Sequence, residues 1–231
     1  MSKAAELAKA GETLTNQPSG RKNIVTNGAM QVAQRSASVT GIGANYGGYF
    51  TCDRWRIYAQ DTAGRLTMTQ TADGPSGFAN CIKLDCTTAD ASIAAGEILL
   101  LKQTFEGQDL QQIKNGTSDA ELITVSFYVK ANAAFTFGCE LDNHDNTRQC
   151  TKLFNTTTDW VRHEITFPAD VDDGSSPFDD DNAASLALNF WLHAGTTNTS
   201  GTLNTASFAN TTTANRAAGI DSFFSSTDNN F

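Results

Sequence analysis

Ser185-Leu-Ala-Leu-Asn-Phe-Trp-Leu-His-Ala194 sets Leu186, Leu188, Phe190 and Leu192 on one side of an extended chain and Ala187, Asn189, Trp191 and His193 on the other. Side chains of a strand point alternately to opposite faces, so this period of two predicts a strand with one apolar face. Two further segments repeat the pattern. In 121–132, Ile123, Val125, Phe127 and Val129 oppose Thr124, Ser126 and Tyr128; in 160–167, Val161, His163, Ile165 and Phe167 oppose Arg162, Glu164 and Thr166. Strands of this kind belong to antiparallel sheets that pack on one side. Weaker strand candidates are 24–34, 53–59, 65–71, 80–87, 97–106, 135–141 and 148–154. With Gly, Asn and Asp turns between them, they predict an all-β antiparallel sandwich or barrel. A one-residue slip would turn every core side chain outward, so Val125, Phe127, Val129, Ile165, Leu186, Leu188 and Phe190 are expected in the core.

Composition agrees with that reading. Charged residues are 18% of 231, below the roughly 25% usual for soluble domains, and the net charge is −9. A nucleic-acid partner is not expected, because phosphate binding needs clustered Lys and Arg. No apolar run approaches the ~18 residues that would span a membrane, so no membrane partner is expected either. Residues 2–11 predict a short helix with Ser2 as N-cap and Gly11 as stop, and a polar linker follows through Asn16-Gln-Pro-Ser-Gly20. The expected organisation is therefore 1–20 as a separate helix and linker, then one sandwich over 21–231.

The five cysteines (52, 81, 86, 139, 150) form no Cys-x-x-Cys and have no His at zinc spacing. Cys139 and Cys150 are equidistant from the turn at 143–146, and a simple hairpin would place them opposite each other. Two packed thiols are favoured over a disulfide. Catalytic motifs are lacking: there is no Gly-x-Ser-x-Gly, no His-Glu-x-x-His and no phosphate-cradling loop. Glu140 and Glu164, both on strands, are a candidate carboxylate pair for glycoside hydrolysis, though not a favoured one, and His163 reads as a satisfied core residue. The acidic loop 170–181 could offer oxygens to Ca²⁺ but lacks EF-hand spacing, and reads as a solvated loop. No metal and no cofactor are expected. On the non-core parity, Asn189, Trp191 and His193, with Tyr128 from a nearby strand, form the candidate carbohydrate-binding set. An aromatic ring can stack on a pyranose while amide and imidazole groups bond its hydroxyls.

Two segments carry more than periodicity. Asn23-Ile-Val-Thr-Asn-Gly-Ala-Met-Gln-Val-Ala-Gln-Arg35 and Thr51-Cys-Asp-Arg-Trp-Arg-Ile57, behind a short helical N-terminus, resemble the start of a jelly-roll module in virion appendage proteins of tailed bacteriophages. Further blocks continue the resemblance in order, among them Phe105–Gly116, Cys139–His144, Trp160–Phe167 and Phe190–Gly195. The module is similar to carbohydrate-binding β-sandwiches. The resemblance implies a jelly-roll fold and a non-enzymatic structural virion protein, favoured as a tail-fibre or receptor-binding subunit contacting host surface glycans. A head-attached decoration or fibre protein is the alternative, and a polysaccharide-degrading enzyme is a further one. It also implies attachment to other virion proteins through residues 1–20, a homotrimer, synthesis in the host cytoplasm and release by lysis. In the resembled family a Val- and Leu-rich closing strand follows the segment equivalent to 222–231, so that strand is expected to lie beyond Phe231.

Overall fold

The computed structural model describes residues 2–5, 23–171 and 177–231. Its described strands are β1 (Ser38–Ala44), β2 (Arg56–Gln60), β3 (Thr62–Thr71), β4 (Cys81–Thr88), β5 (Ile98–Glu106), β6 (Ile123–Val129), β7 (Thr136–Asn143), β8 (Arg148–Asn155), β9 (Val161–Phe167), β10 (Ala184–Ala194) and β11 (Ala209–Asn210). All pairings are antiparallel. One sheet has the order β11-β8-β7-β10-β5-β2; facing it are a β1-β3-β4 sheet and a β6-β9 pair. The chain crosses between layers at β1–β2, β2–β3, β4–β5, β5–β6, β6–β7, β8–β9 and β9–β10, so most sequence neighbours lie in different layers. This is the jelly-roll arrangement, and the all-β expectation holds.

The core lies where the sheets face. Leu186, Leu188, Phe190 and Leu192 of β10 meet Leu66, Met68 and Leu84 of one facing sheet and Val129, Ile165 and Phe167 of the other, with Val125 and Phe127 packed against the same cluster. Of the seven expected core residues, Val129, Ile165, Leu186, Leu188 and Phe190 belong to it, and Val125 and Phe127 are half-buried against it. Aromatic rings make the central contacts: Phe127 meets Phe154 and Phe190 edge-on at 5.0 and 4.9 Å between centroids. His163 stacks on Phe127 and its Nε2 lies 2.9 Å from the Asn155 carbonyl, which satisfies it within the fold.

Three local expectations change. Residues 24–34 form turns instead of a strand, because Asn27 and Met30 take left-handed φ values of 53°. Strand β1 was not legible because Gly41 and Gly43 interrupt its pattern, and the pairing with β3 shifts register at both places. Cys139 and Cys150 are not directly opposed: Cys139 pairs with Lys152 and Cys150 with Leu141, since Asn143 pairs with Arg148 across a loop of residues 144–147. All five cysteines are free thiols. Burial pushes the Cys52 and Cys150 thiols up to about 11, and Cys139 further still.

At the N-terminus residues 3–5 are helical and the Ser2 hydroxyl accepts from the Ala5 N–H at 3.4 Å. The rest of the expected helix and the linker lie outside the described residues, as does the middle of the acidic loop. Asp170, at its start, is held by the Arg148 guanidinium at 2.8–2.9 Å in a buried pair. At the other end, Asn229 and Phe231 line the outer edge of β4, accepting from Cys86 and Leu84 N–H groups at 2.9 and 2.8 Å.

Candidate functional site

The parity opposite the core does not face solvent on β10. Asn189 and His193 are 0% exposed and Trp191 is 1%. The segment after β10, with a short helix α1 (Thr196–Thr199), folds back over that face. Ala217 and Ile220 pack on Trp191 and Leu100 there, and the Arg216 guanidinium lies 5.2 Å from the Trp191 ring centre. Gly138 faces Trp191 across the sheet, where a side chain would crowd the Trp191 Cβ at 3.3 Å. The expected carbohydrate set is therefore corrected in its geometry: Asn189, Trp191 and His193 are interior residues.

Asn189 and Trp191 serve a buried carboxylate. Glu140 is 0% exposed and accepts from Asn189 Nδ2, Trp191 Nε1, Arg216 Nε and Arg216 Nη2, each at 2.8 Å. Burial works against the Arg216 charge, but the Glu140 and Asp142 carboxylates outweigh it and hold its pKa above the ordinary value. Glu164 is exposed on the other layer, paired with Arg162, so Glu140 and Glu164 do not share a cleft. Tyr128 is 41% exposed on β6, with its ring centre 5.8 Å from that of Phe78. It stands on the layer opposite β10.

The two segments singled out in the sequence meet each other. Asn27 joins them: its Nδ2 donates to the carbonyls of Val32 at 2.8 Å and Asp53 at 3.0 Å, and its Oδ1 accepts from the Val32 N–H at 3.1 Å. The Trp55 indole donates to the Asn27 carbonyl at 3.2 Å, and the Asp53 N–H donates to the Val32 carbonyl at 2.9 Å. Below them, the buried Gln103 grips the backbone of Thr26 with one bond in each direction, 2.7 and 2.9 Å. A loop fixed at this many points can hold side chains in place without belonging to a sheet.

On that platform lies an open cleft of about 530 Å³ lined by Gln34, Arg35, Tyr49, Asp53 and Arg54. Its size falls within the roughly 300–1,000 Å³ of ligand clefts. Tyr49 is 43% exposed, with the Arg35 guanidinium 5.8 Å from its ring centre. Arg54 has a left-handed φ of 72°, an uncommon conformation for a side-chain-bearing residue, and one that tends to be kept where a side chain must be aimed. An aromatic face, a planar amide, a carboxylate and two guanidinium groups thus converge on one concavity. They can stack on an apolar ring face while donating to and accepting from hydroxyls. These residues belong to or flank the quoted segments; reading residues 24–34 as a strand is what hid the cleft.

No protein-family profile matches the chain, and neither does any curated protein. Among solved structures, the one described as "CBM4 structure and function" is similar at 15% identity and a TM-score of 0.37, covering 74% of this chain and 88% of that one. A family 11 carbohydrate-binding module from Clostridium thermocellum, in complex with a β-1,3-1,4-mixed-linked tetrasaccharide, is similar at 10% identity and a TM-score of 0.35, covering 68% and 84%. The family 11 module of the cellulosomal cellulase Lic26A-Cel5E of the same organism has 13% identity and a TM-score of 0.32, covering 59% and 78%.

Proposed function

We propose that this chain is a non-catalytic glycan-binding module of a tailed-bacteriophage appendage, with the Gln34–Arg35–Tyr49–Asp53–Arg54 cleft as its contact surface. The observation that carries the glycan reading is the chemistry of that cleft: one exposed ring beside amide, carboxylate and guanidinium groups on a loop fixed by Asn27 and Gln103. Hydroxyl-rich ligands need donors and acceptors at fixed spacing around an apolar face, and a pre-formed platform supplies them without a further ordering cost. The net charge of −9 favours a neutral or cationic surface over a phosphate-rich one.

The appendage assignment rests on the sequence resemblance. A tail-fibre or receptor-binding subunit is favoured, and a head-attached decoration protein is the alternative. Residues 1–20 are the attachment segment in this reading, and the assembly is a homotrimer. The test is binding of the full chain to polysaccharides extracted from bacterial surfaces, beside Tyr49→Ala. Removing one stacking ring costs about 1–1.5 kcal/mol, or roughly a tenfold weaker Kd, with unchanged thermal unfolding. Equal binding by Tyr49→Ala moves the contact surface elsewhere. Absence of binding to every surface polysaccharide overturns the glycan reading.

A further inference from the structure

A second cluster lies inside the fold, away from the cleft. Asp90 stands on the β4–β5 connection, Glu97 just before β5, and His193 near the end of β10. One ligand-type atom from each lies within 4.8 Å of the other two. All three are interior, at 6, 2 and 0% exposure. His193 Nε2 is 2.9 Å from Glu97 Oε2. Behind them, backbone and hydroxyl groups orient each ligand. The Ala94 N–H donates to Glu97 Oε1 at 3.0 Å, the Ser92 N–H donates to Asp90 Oδ1 at 3.0 Å, and His193 Nδ1 lies 2.7 Å from Ser222 Oγ. Phe224 closes the site: its ring meets His193 edge-on at 5.2 Å, and its carbonyl accepts from the Asp90 N–H at 2.8 Å. Gly64 allows this roof, since a Cβ there would sit 2.3 Å from the Phe224 ring.

An independent observation points to something held between these groups. Asp90 Oδ2 is buried without a hydrogen-bond partner of good geometry, while the Asp90 carboxyl lies close to the Ala63 backbone and to the Glu97 carboxyl. Two ionised carboxylates cannot donate to each other, and among the described residues the one ion-pair partner of either is His193, 2.9 Å from Glu97, so even an imidazolium leaves one of the two negative charges uncompensated. A buried unpaired carboxylate is costly, so a positive centre belongs there. In the tautomer that donates Nδ1–H to Ser222 Oγ, His193 offers a lone pair at Nε2, as a metal ligand needs.

We propose that Asp90, Glu97 and His193 form a structural site for a borderline divalent transition ion of the Zn²⁺ type. One imidazole nitrogen and two carboxylate oxygens match the nitrogen and oxygen ligands that Zn²⁺ accepts, whereas Ca²⁺ requires six to eight oxygens. The site is closed by Phe224 and has no opening toward substrate, so its role is to tie the 90–97 connection and the 222–224 segment to the end of β10. This is independent of the glycan-binding cleft.

The test uses the full chain, stripped with chelator and then titrated with Zn²⁺. The expected result is one Zn²⁺ per chain by elemental analysis, and a rise in Tm of about 5–10 °C at free Zn²⁺ a hundredfold above Kd. Asp90→Asn supplies an amide donor to Glu97 and keeps the fold without the ion. This variant should lose the Zn²⁺-dependent rise while its metal-free Tm stays equal to or above that of the unaltered chain. His193→Gln should also lose the rise. No bound Zn²⁺ and no rise in the unaltered chain overturns the proposal, and so does an undiminished rise in Asp90→Asn.

Discussion

Replacing Asn27 with Ala separates the platform of the cleft from the rest of the fold. The side chain makes three hydrogen bonds, two as donor to Val32 and Asp53 and one as acceptor from Val32. Each has a net worth of about 0.5–1.5 kcal/mol, at the lower end here because Asn27 is only half-buried. The residue also holds φ at 53°, which Asn tolerates and Ala resists at a cost of about 1 kcal/mol. Together these predict a loss of about 2–3 kcal/mol, or about 5–10 °C in Tm for a chain of this size. Asn27→Gly separates the two contributions. It loses the same bonds but adopts the left-handed conformation freely, so it should be about 1 kcal/mol more stable than Asn27→Ala. Urea unfolding of the three proteins measures this, and glycan affinity of the folded variants should fall because Asp53 and Arg54 lose their tie to Arg35. If both variants stay within 0.5 kcal/mol of the parent, Asn27 does not fasten the two segments and the platform argument fails.

Arg216→Ala leaves the Glu140 carboxylate buried with only Asn189 and Trp191 as donors, and should destabilise the chain by about 3 kcal/mol. The accompanying exposure of Trp191 should red-shift its fluorescence; an unchanged spectrum and Tm would show that the covering segment does not depend on this pair. A thiol reagent should modify Cys81, the one half-buried cysteine, first, and the other four only on unfolding. The Cys52 and Cys150 thiols are raised in the fold, so their contribution to stability is present in full below the ordinary thiol value of 9.0 and is lost as pH rises to about 11. Unfolding free energy that is flat between pH 8 and 11 would contradict their burial.

The inner half of the fold was legible because apolar alternation has one physical cause, burial against a facing sheet. Leu186, Leu188 and Phe190 needed nothing beyond their own spacing. The outer face of β10 was not legible, because whether Asn189, Trp191 and His193 meet water depends on a segment that begins after them. That segment is mostly Thr, Asn, Ser and Ala, and it anchors through Arg216, Ala217 and Ile220. Residues 23–35 and 51–57 stood out as a pair, yet their contact was hidden by an apolar spacing that mimics a strand. Asn27-Gly28 was the available signal, as a dipeptide suited to turns. The offset between Cys139 and Cys150 has a similar origin, since Asn143 stays in β7 and Thr147, with a φ of 49°, joins the loop, which moves the four-residue turn one position along the chain. The cluster of Asp90, Glu97 and His193 has no local spacing at all, because β10 brings its third member from about a hundred residues away.

The claim that most needs a direct measurement is that the cleft holds sugar. Backbone and side-chain amide NMR of the isotopically labelled chain, titrated with an oligosaccharide from the best-binding surface polysaccharide, locates the contact without any substitution. The account predicts saturable shifts in Gln34, Arg35, Tyr49, Asp53 and Arg54, with none in Asn189, Trp191 or His193. Shifts confined to Tyr128, Phe78 and Arg162 would place the sugar on the opposite layer and contradict it.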